Sequence, residues 1–189
     1  MKCEISYWTK PGRQNTEETI RLALKRAQQL KIKNFVVASC SGWTTKKLLA
    51  RANNINIVSV THEAGFYKPG VREISKKTAE FLKKKNVSVL TTTHFLGGFD
   101  RAVRFTFGGL EPAELAANTL RIFGQGVKVC VEVAIMALDA GLIPYNKEII
   151  AIGGTGRGAD TAIVCLPKHG KDFFSFDVRE IICKRRERK

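Results

Sequence analysis

No run of eighteen or more apolar residues occurs in this 189-residue chain. The nearest approach, residues 127–143, is broken by Lys128, Glu132 and Asp139, which excludes a membrane-spanning helix there. Met1-Lys2-Cys3-Glu4 leads straight into strand-like sequence without the apolar core of a secretory signal, so none is expected. Cysteine is sparse and unpaired in pattern: Cys3, Cys40, Cys130, Cys165 and Cys183 are odd in number and form no C-x-x-C. Neither a disulfide framework nor a zinc site is expected, no metal is assigned, and a reducing cytoplasm is the default location. Acidic residues are scarce, 17 against 32 lysines and arginines, for a net charge of +15. Such a surface attracts phosphorylated metabolites, nucleotides or nucleic acid, unless it is simply a solvated basic face with a frayed basic tail at residues 184–189. There is no internal repeat, low-complexity segment or linker, so residues 1–189 are read as one domain of ordinary composition, 44% hydrophobic and 26% charged.

What is present alternates. Short apolar strands are predicted at 4–8, 35–38, 57–60, 87–90, 148–152, 161–166 and 178–183. Between them lie helical patterns. One runs from Asn15 to about Leu30, with Asn15 and Glu18 spaced as a capping-box variant. Others cover 46–52 and 73–85, the latter with Ile74, Ala79, Phe81 and Leu82 as buried candidates. A further helix starts near Pro112 and is broken by Gly126, and a more buried one follows at 127–140. Residues 91–109, with two Gly-Gly pairs, read as a loose stretch, either lid or interface. This alternation indicates βαβ units: an α/β fold in three α/β/α layers with a mostly parallel sheet and an antiparallel edge.

Ligands of such sheets bind beyond the carboxyl ends of the strands. Here those ends are rich in glycine and in hydroxyl, amide or imidazole groups. The segment Ser39-Cys-Ser-Gly-Trp-Thr-Thr45 follows an apolar strand and opens a helix. Hydroxyls of Ser39, Ser41, Thr44 and Thr45, with free N–H groups at the helix start, would cradle a phosphate. Gly42 lets the anion approach closely, and Gly42→Asp is expected to abolish binding by steric and charge conflict. The alternative is a plain strand–helix turn. Residues 152–160, Ile-Gly-Gly-Thr-Gly-Arg-Gly-Ala-Asp, carry the G-x-x-x-x-G spacing of a P-loop without its Lys-Ser/Thr, and G-x-G-x-x-A ahead of a strand rather than a helix. Both fingerprints fail. A glycine-rich strand–loop–strand with Arg157 still suits an anion clamp; the alternative is a flexible hairpin.

His62 and His94 each lie just past a strand and are candidates for ligand contact or proton transfer, although lone histidines are more often simply hydrogen-bonded. Glu132 and Asp139, seven apart, share a helix face; ion pairing is the simpler reading than paired acids. Trp43, Phe66, Phe95 and Phe99 cluster in the strand-end loops, where they either face a planar phosphorylated ligand or plug the sheet's open end.

The stretch from the first long helix through Ser39-Cys-Ser-Gly-Trp-Thr-Thr45 to Ile57-Val-Ser-Val-Thr61 resembles the C-terminal domain of pyruvate kinase. In that domain a Thr/Ser-x-Ser-Gly-x-Ser/Thr-Ala loop grips an effector phosphate. Ser39, Ser41, Gly42 and Thr44 fall on the matching positions; Thr45 departs, and Trp43 is unusual. Gly154-Thr-Gly-Arg-Gly158 is more loosely similar to the effector loop. Along nearly its whole length the chain resembles small free-standing relatives of that domain, through Lys10-Pro-Gly-Arg-x-Asn-Thr-Glu-Glu-Thr19, Phe123-Gly-x-Gly-x-Lys-Val-Cys-Val-Glu132 and Gly158-Ala-Asp-Thr-Ala162. The resemblance implies a five-stranded α/β/α fold with flavin mononucleotide (FMN), or a similar phosphorylated ligand, at the strand ends. On this reading Ser39, Ser41, Gly42, Thr44 and Thr45 hold the phosphate. Thr61, His62, Gly65, Phe66 and the loop Gly154, Thr155, Gly156, Arg157, Gly158, Ala159, Asp160, Thr161 hold the rest. Pyruvate kinase chemistry resides in a separate barrel of about 250 residues, so no such activity is expected of this chain. The alternatives are a flavin-dependent enzyme using His62 or His94, and a basic nucleic-acid-binding domain, disfavoured because no such motif is present. Homo-oligomerisation is left open.

Overall fold

In the computed structural model, residues 3–187 are described. Met1, Lys2, Arg188 and Lys189, which include the end of the expected basic tail, lie outside the described residues.

The apolar segments Asn34–Ala38 (β2), Asn56–Thr61 (β3), Ser88–Thr91 (β4) and Ile149–Gly153 (β5) are continuous rather than alternating, as strands covered on both faces require. They pair in parallel in the order β5-β2-β3-β4. Thr161–Leu166 (β6) runs antiparallel to β5 and to Asp177–Arg185 (β7), and Ser6–Trp8 (β1) lies parallel to β7. The sheet therefore has seven strands, ordered β1-β7-β6-β5-β2-β3-β4, where the resemblance implied five. The antiparallel strand is third from the edge, because β1 adds itself outside β7. Lys184 and Arg185, expected in a frayed tail, continue β7 and pair with Tyr7 and Trp8.

Helices Thr16–Leu30 (α1), Trp43–Leu49 (α2) and Lys76–Lys84 (α3) cover one face, burying Ile20, Leu48 and Leu82 against Phe35, Val37 and Ile152. Gln125–Asp139 (α6) covers the other, packing Val131, Ala134 and Ile135 on Val36, Val58 and Ile149. Between β4 and α6 run Gly98–Phe107 (α4), Pro112–Leu120 (α5) and a 3-10 turn, Arg121–Phe123. A second such turn, Gly170–Ser175, joins β6 to β7. No described helix is long and apolar enough to cross a membrane.

Four local readings are corrected. Asn15 does not cap α1: a 3-10 turn, Arg13–Asn15, feeds the helix directly, Asn15 is itself helical, and its Nδ2 donates to the Lys10 carbonyl at 2.7 Å. The stretch 91–109 is not loose: its second half is α4, whose Asp100 accepts the Ala113 N–H at 2.7 Å and so caps α5. The break before α6 falls at Gly124, φ 118°, whereas Gly126 lies inside the helix. Gly126 is there because a Cβ would sit 1.9 Å from Thr161 Oγ1 on β6. Phe81 is exposed and carries Lys46 over its ring at 5.5 Å.

Candidate functional site

The connections β2–α2–β3 and β3–α3–β4 lie on one face, and the connection from β4 to β5 lies on the other. The strand order reverses between β2 and β5, and a crevice opens at such a switch point. There a cleft of about 660 Å³ is found, within the size range of small-molecule sites.

Residues 39–44 form its first wall. Parallel pairing of β2 with β3 brings the Ser39 N–H onto the Val60 carbonyl (2.8 Å), and the chain then turns with Gly42 N–H on Ser39 O (3.1 Å). Ser39 Oγ accepts the Thr45 N–H at 3.3 Å, so this hydroxyl organises the start of α2 while lining the cleft. Ser41, Trp43 and Thr44 line it too. Helix geometry leaves the first N–H groups of α2, those of Trp43 and Thr44, without intrahelical acceptors. Arg13 stands over the Trp43 ring at 4.8 Å and Lys47 at 5.6 Å, so cations border this wall.

Residues 154–158 form the second wall, and Asp160 holds them in place. Asp160 is fully buried; its Oδ2 accepts the N–H groups of Thr155 (3.0 Å) and Gly12 (3.2 Å), and its Oδ1 accepts the Thr161 hydroxyl (2.9 Å). The Thr16 hydroxyl accepts the Ala159 N–H at 2.9 Å. Gly158, φ 81°, packs so closely on the 3-10 turn that a Cβ would meet Arg13 Cα at 2.7 Å. These contacts bring Arg13 and Arg157 to one rim.

The third wall is the loop 62–73. Gly65 N–H on Val71 O (3.0 Å) closes it. His62 stacks on Phe66 with ring centroids 3.9 Å apart, meets His94 edge-on at 5.1 Å, and binds Glu73 through Nδ1. His62, Phe66, Tyr67 and Glu73 line the cleft together with Cys40, Gln125 and Val129. Burial pushes the Cys40 thiol up to about 11. His94 is shifted down, chiefly by burial; Glu63 at 3.9 Å and Glu132 oppose that shift without reversing it.

Of the residues singled out in the sequence, Ser39, Ser41, Trp43, Thr44, His62, Phe66, Gly154, Gly156, Arg157 and Gly158 meet on this cleft. The others stand behind it. Thr45 is buried with its hydroxyl 2.7 Å from Ser59 Oγ, and Thr61 bonds Thr91 Oγ1 at 2.8 Å. Gly65, Thr155, Ala159, Asp160 and Thr161 shape the two loops. Gly42 has φ 79°, and a Cβ there would strike Thr78 on α3 at 2.6 Å, so Gly42→Asp would disturb the fold before it reached any ligand. Phe95 packs on Phe173, and Phe99 is 81% exposed; neither lines the cleft. Glu132 and Asp139 are separate. Glu132 pairs with Lys128 at 2.5 Å and accepts the Leu96 N–H, while Asp139 pairs with His169 at 2.7 Å. Missed in the sequence were Arg13, Cys40, Tyr67, Glu73 and Gln125. Arg13 and Cys40 had a signal, their places in strand-end loops; the rest depend on how the loops close.

Residues 17–165 match the family model described as pyruvate kinase, alpha/beta domain, and the chain belongs to that family. Strands β2 to β5 and nearly all of β6 lie within the match, and β1 and β7 lie outside it, which reconciles the implied five strands with the observed seven. Among solved structures, the chain is similar to a Cryptosporidium parvum pyruvate kinase in complex with ADP, at 14% identity and TM-score 0.40, over 79% of this chain and 22% of that one. A second crystal structure of a pyruvate kinase from the same organism matches at 14% identity and TM-score 0.37, over 72% and 20%. The chain thus spans about a fifth of the length of these enzymes.

Proposed function

We propose that the strand-end cleft binds a phosphorylated planar ligand, with FMN the ligand of choice, and that this chain does not itself carry out pyruvate kinase chemistry. The observation that carries the reading is the pairing of two unlike surfaces in one cleft. Hydroxyls of Ser39, Ser41 and Thr44 share it with Arg13 and Arg157, and the rings of Trp43, Phe66 and Tyr67 border it. Hydroxyls, unpaired helix N–H groups and guanidinium forks suit a phosphate; flat apolar faces suit a fused ring.

The test is flavin titration followed by absorbance and fluorescence quenching, with FMN and riboflavin compared. FMN is expected to bind at least about tenfold more tightly than riboflavin, and Arg157→Ala to remove most of that difference by deleting a charge-assisted bond of about 1.5–3 kcal/mol. Equal affinity for the two flavins would overturn the phosphate assignment.

We further infer that copies of this chain associate through the face formed by α4, α5 and the following turn. Phe99, Phe105, Phe107, Leu115, Ile122 and Phe123, all within 25 residues of one another in the chain, are each more than half exposed there, and clustered exposed apolar side chains mark interaction surfaces. Light scattering at micromolar concentration would read a multiple of 21.0 kDa.

A further inference from the structure

The cleft brings together three side chains that sequence spacing gave no reason to connect. The β2–β3 register pairs Ala38 with Val60, so Cys40 and His62 each stand two residues beyond that pair, on adjacent strand ends. The loop after β3 returns just before α3, whose start is fixed by Ser75 Oγ accepting the Thr78 N–H at 3.2 Å. That return places Glu73 against His62. One ligand atom from each of Cys40, His62 and Glu73 lies within 4.8 Å of the other two, and all three side chains line the cleft.

We propose that Cys40, His62 and Glu73 form a three-ligand site for a divalent transition-metal ion, zinc or its cobalt surrogate, with a fourth position open toward the cleft. A thiolate, an imidazole and a carboxylate are the donor types that zinc accepts, and three protein ligands with one open position is the arrangement of zinc sites that act on a ligand rather than only holding a fold. Tetrahedral bonding would set the donor atoms roughly 3.3–3.6 Å apart, so a pair as far apart as 4.8 Å would close by up to about 1.5 Å, while the hydrogen-bonded His62–Glu73 pair would open. On binding, the ion replaces the thiol proton, which leaves to solvent; where it binds His62 at Nδ1, the proton that nitrogen shares with Glu73 moves to Nε2, and the carboxylate passes from His62 to the ion. The open position would accept water or an oxygen of an anion in the cleft. The ion would reinforce Arg13 and Arg157 as positive charge facing the phosphate hydroxyls, yet the site stands whether or not the ligand is a flavin.

The test uses the purified full chain, stripped with a chelator, reduced, and titrated with cobalt(II) without flavin. One equivalent is expected to produce the near-ultraviolet thiolate-to-cobalt band together with visible bands of tetrahedral intensity, and zinc is expected to displace both. Cys40→Ser should lose the near-ultraviolet band, with an unchanged circular dichroism spectrum showing that the variant is folded. Glu73→Gln and His62→Ala should weaken cobalt binding by at least about tenfold. Cys3→Ser, which removes the exposed thiol outside the cleft, should leave the spectrum intact. No thiolate band in the unmodified chain, or a band that survives Cys40→Ser and disappears with Cys3→Ser, would overturn the proposal. Because no flavin is present, a failure here leaves the flavin titration to be judged by itself.

Discussion

The turn 153–161 begins with paired glycines and the segment 98–123 begins at Gly98, which follows Gly97 as the second of another pair; the turn and the start of the segment both read as loose in the sequence, yet they fold on opposite terms. In the turn, every polar contact runs inward. Buried Asp160 collects three donors, the Trp8 indole N–H donates to its carbonyl at 2.8 Å, and Gly154 and Gly158 leave no room for a Cβ. In the segment, α4 buries no residue and α5 buries Ala117 alone. Polar contacts at its base hold it: Arg101 to Glu63 at 3.5 Å, Arg104 to Glu114 at 2.7 Å, and Asp100 on the α5 N-terminus. Its aromatic side chains point outward. Composition alone does not distinguish a loop locked by a buried carboxylate from a helical pair kept for another surface.

Substituting one glycine packed against the turn and one within the segment gives the widest separation. Gly126→Ala drives a Cβ into Thr161, beside the turn, and is expected to cost about 3 kcal/mol or more in urea denaturation. Gly108→Ala, at φ 79° with open space around it, should cost about 1 kcal/mol through backbone strain alone. Equal costs would erase the distinction between locked and open. Next come the two aspartates. Asp160→Ala strands two half-buried N–H groups and the buried Thr161 hydroxyl and should cost about 2–3 kcal/mol, whereas Asp100→Ala removes one helix cap worth about 1 kcal/mol.

Smaller still, Phe105→Asp should change stability by no more than about 0.5 kcal/mol while lowering the mass seen in light scattering. An unchanged mass would return the apolar face to the monomer. The smallest effect concerns His94, which stands just before the second region, beside Glu63. Its folded-state pKa lies below its ordinary value of 6.5, so the unfolded chain binds more protons near that pH. Stability contributed by keeping His94 neutral is present above about pH 6.5 and is lost as pH falls toward the lowered value. His94→Gln should flatten that part of the stability–pH curve.

Much of the architecture was legible in the sequence, because continuous apolar runs such as Phe35–Val37 and Ile149–Ile152 have one stable use, a strand covered on both faces. The walls 39–44 and 154–158 were legible for the same reason, since they directly follow such strands. What escaped depends on long-range closure. Glu73 reaches His62 only after an eleven-residue excursion. Asp160, placed among the ligand-holding residues, is a brace because Gly12 and Thr155 arrive from two directions. Helix α4 was hidden by its glycines, which propensity scores as breakers and which here start the helix at Gly98 and end it at Gly108.

The pairing of the first strand with the last has a consequence for synthesis. Strands β2, β3 and β4 are neighbours in sequence and in the sheet, so they have partners as soon as they leave the ribosome. The short strand β1 pairs with β7 and has no partner until residue 183 or so has been made. The Arg13 rim of the cleft follows β1, and its Gly12 anchor is on Asp160. Strand β1 is therefore made before the other strands of the sheet yet docked after them, and the Arg13 side of the cleft is completed only once β7 has been made.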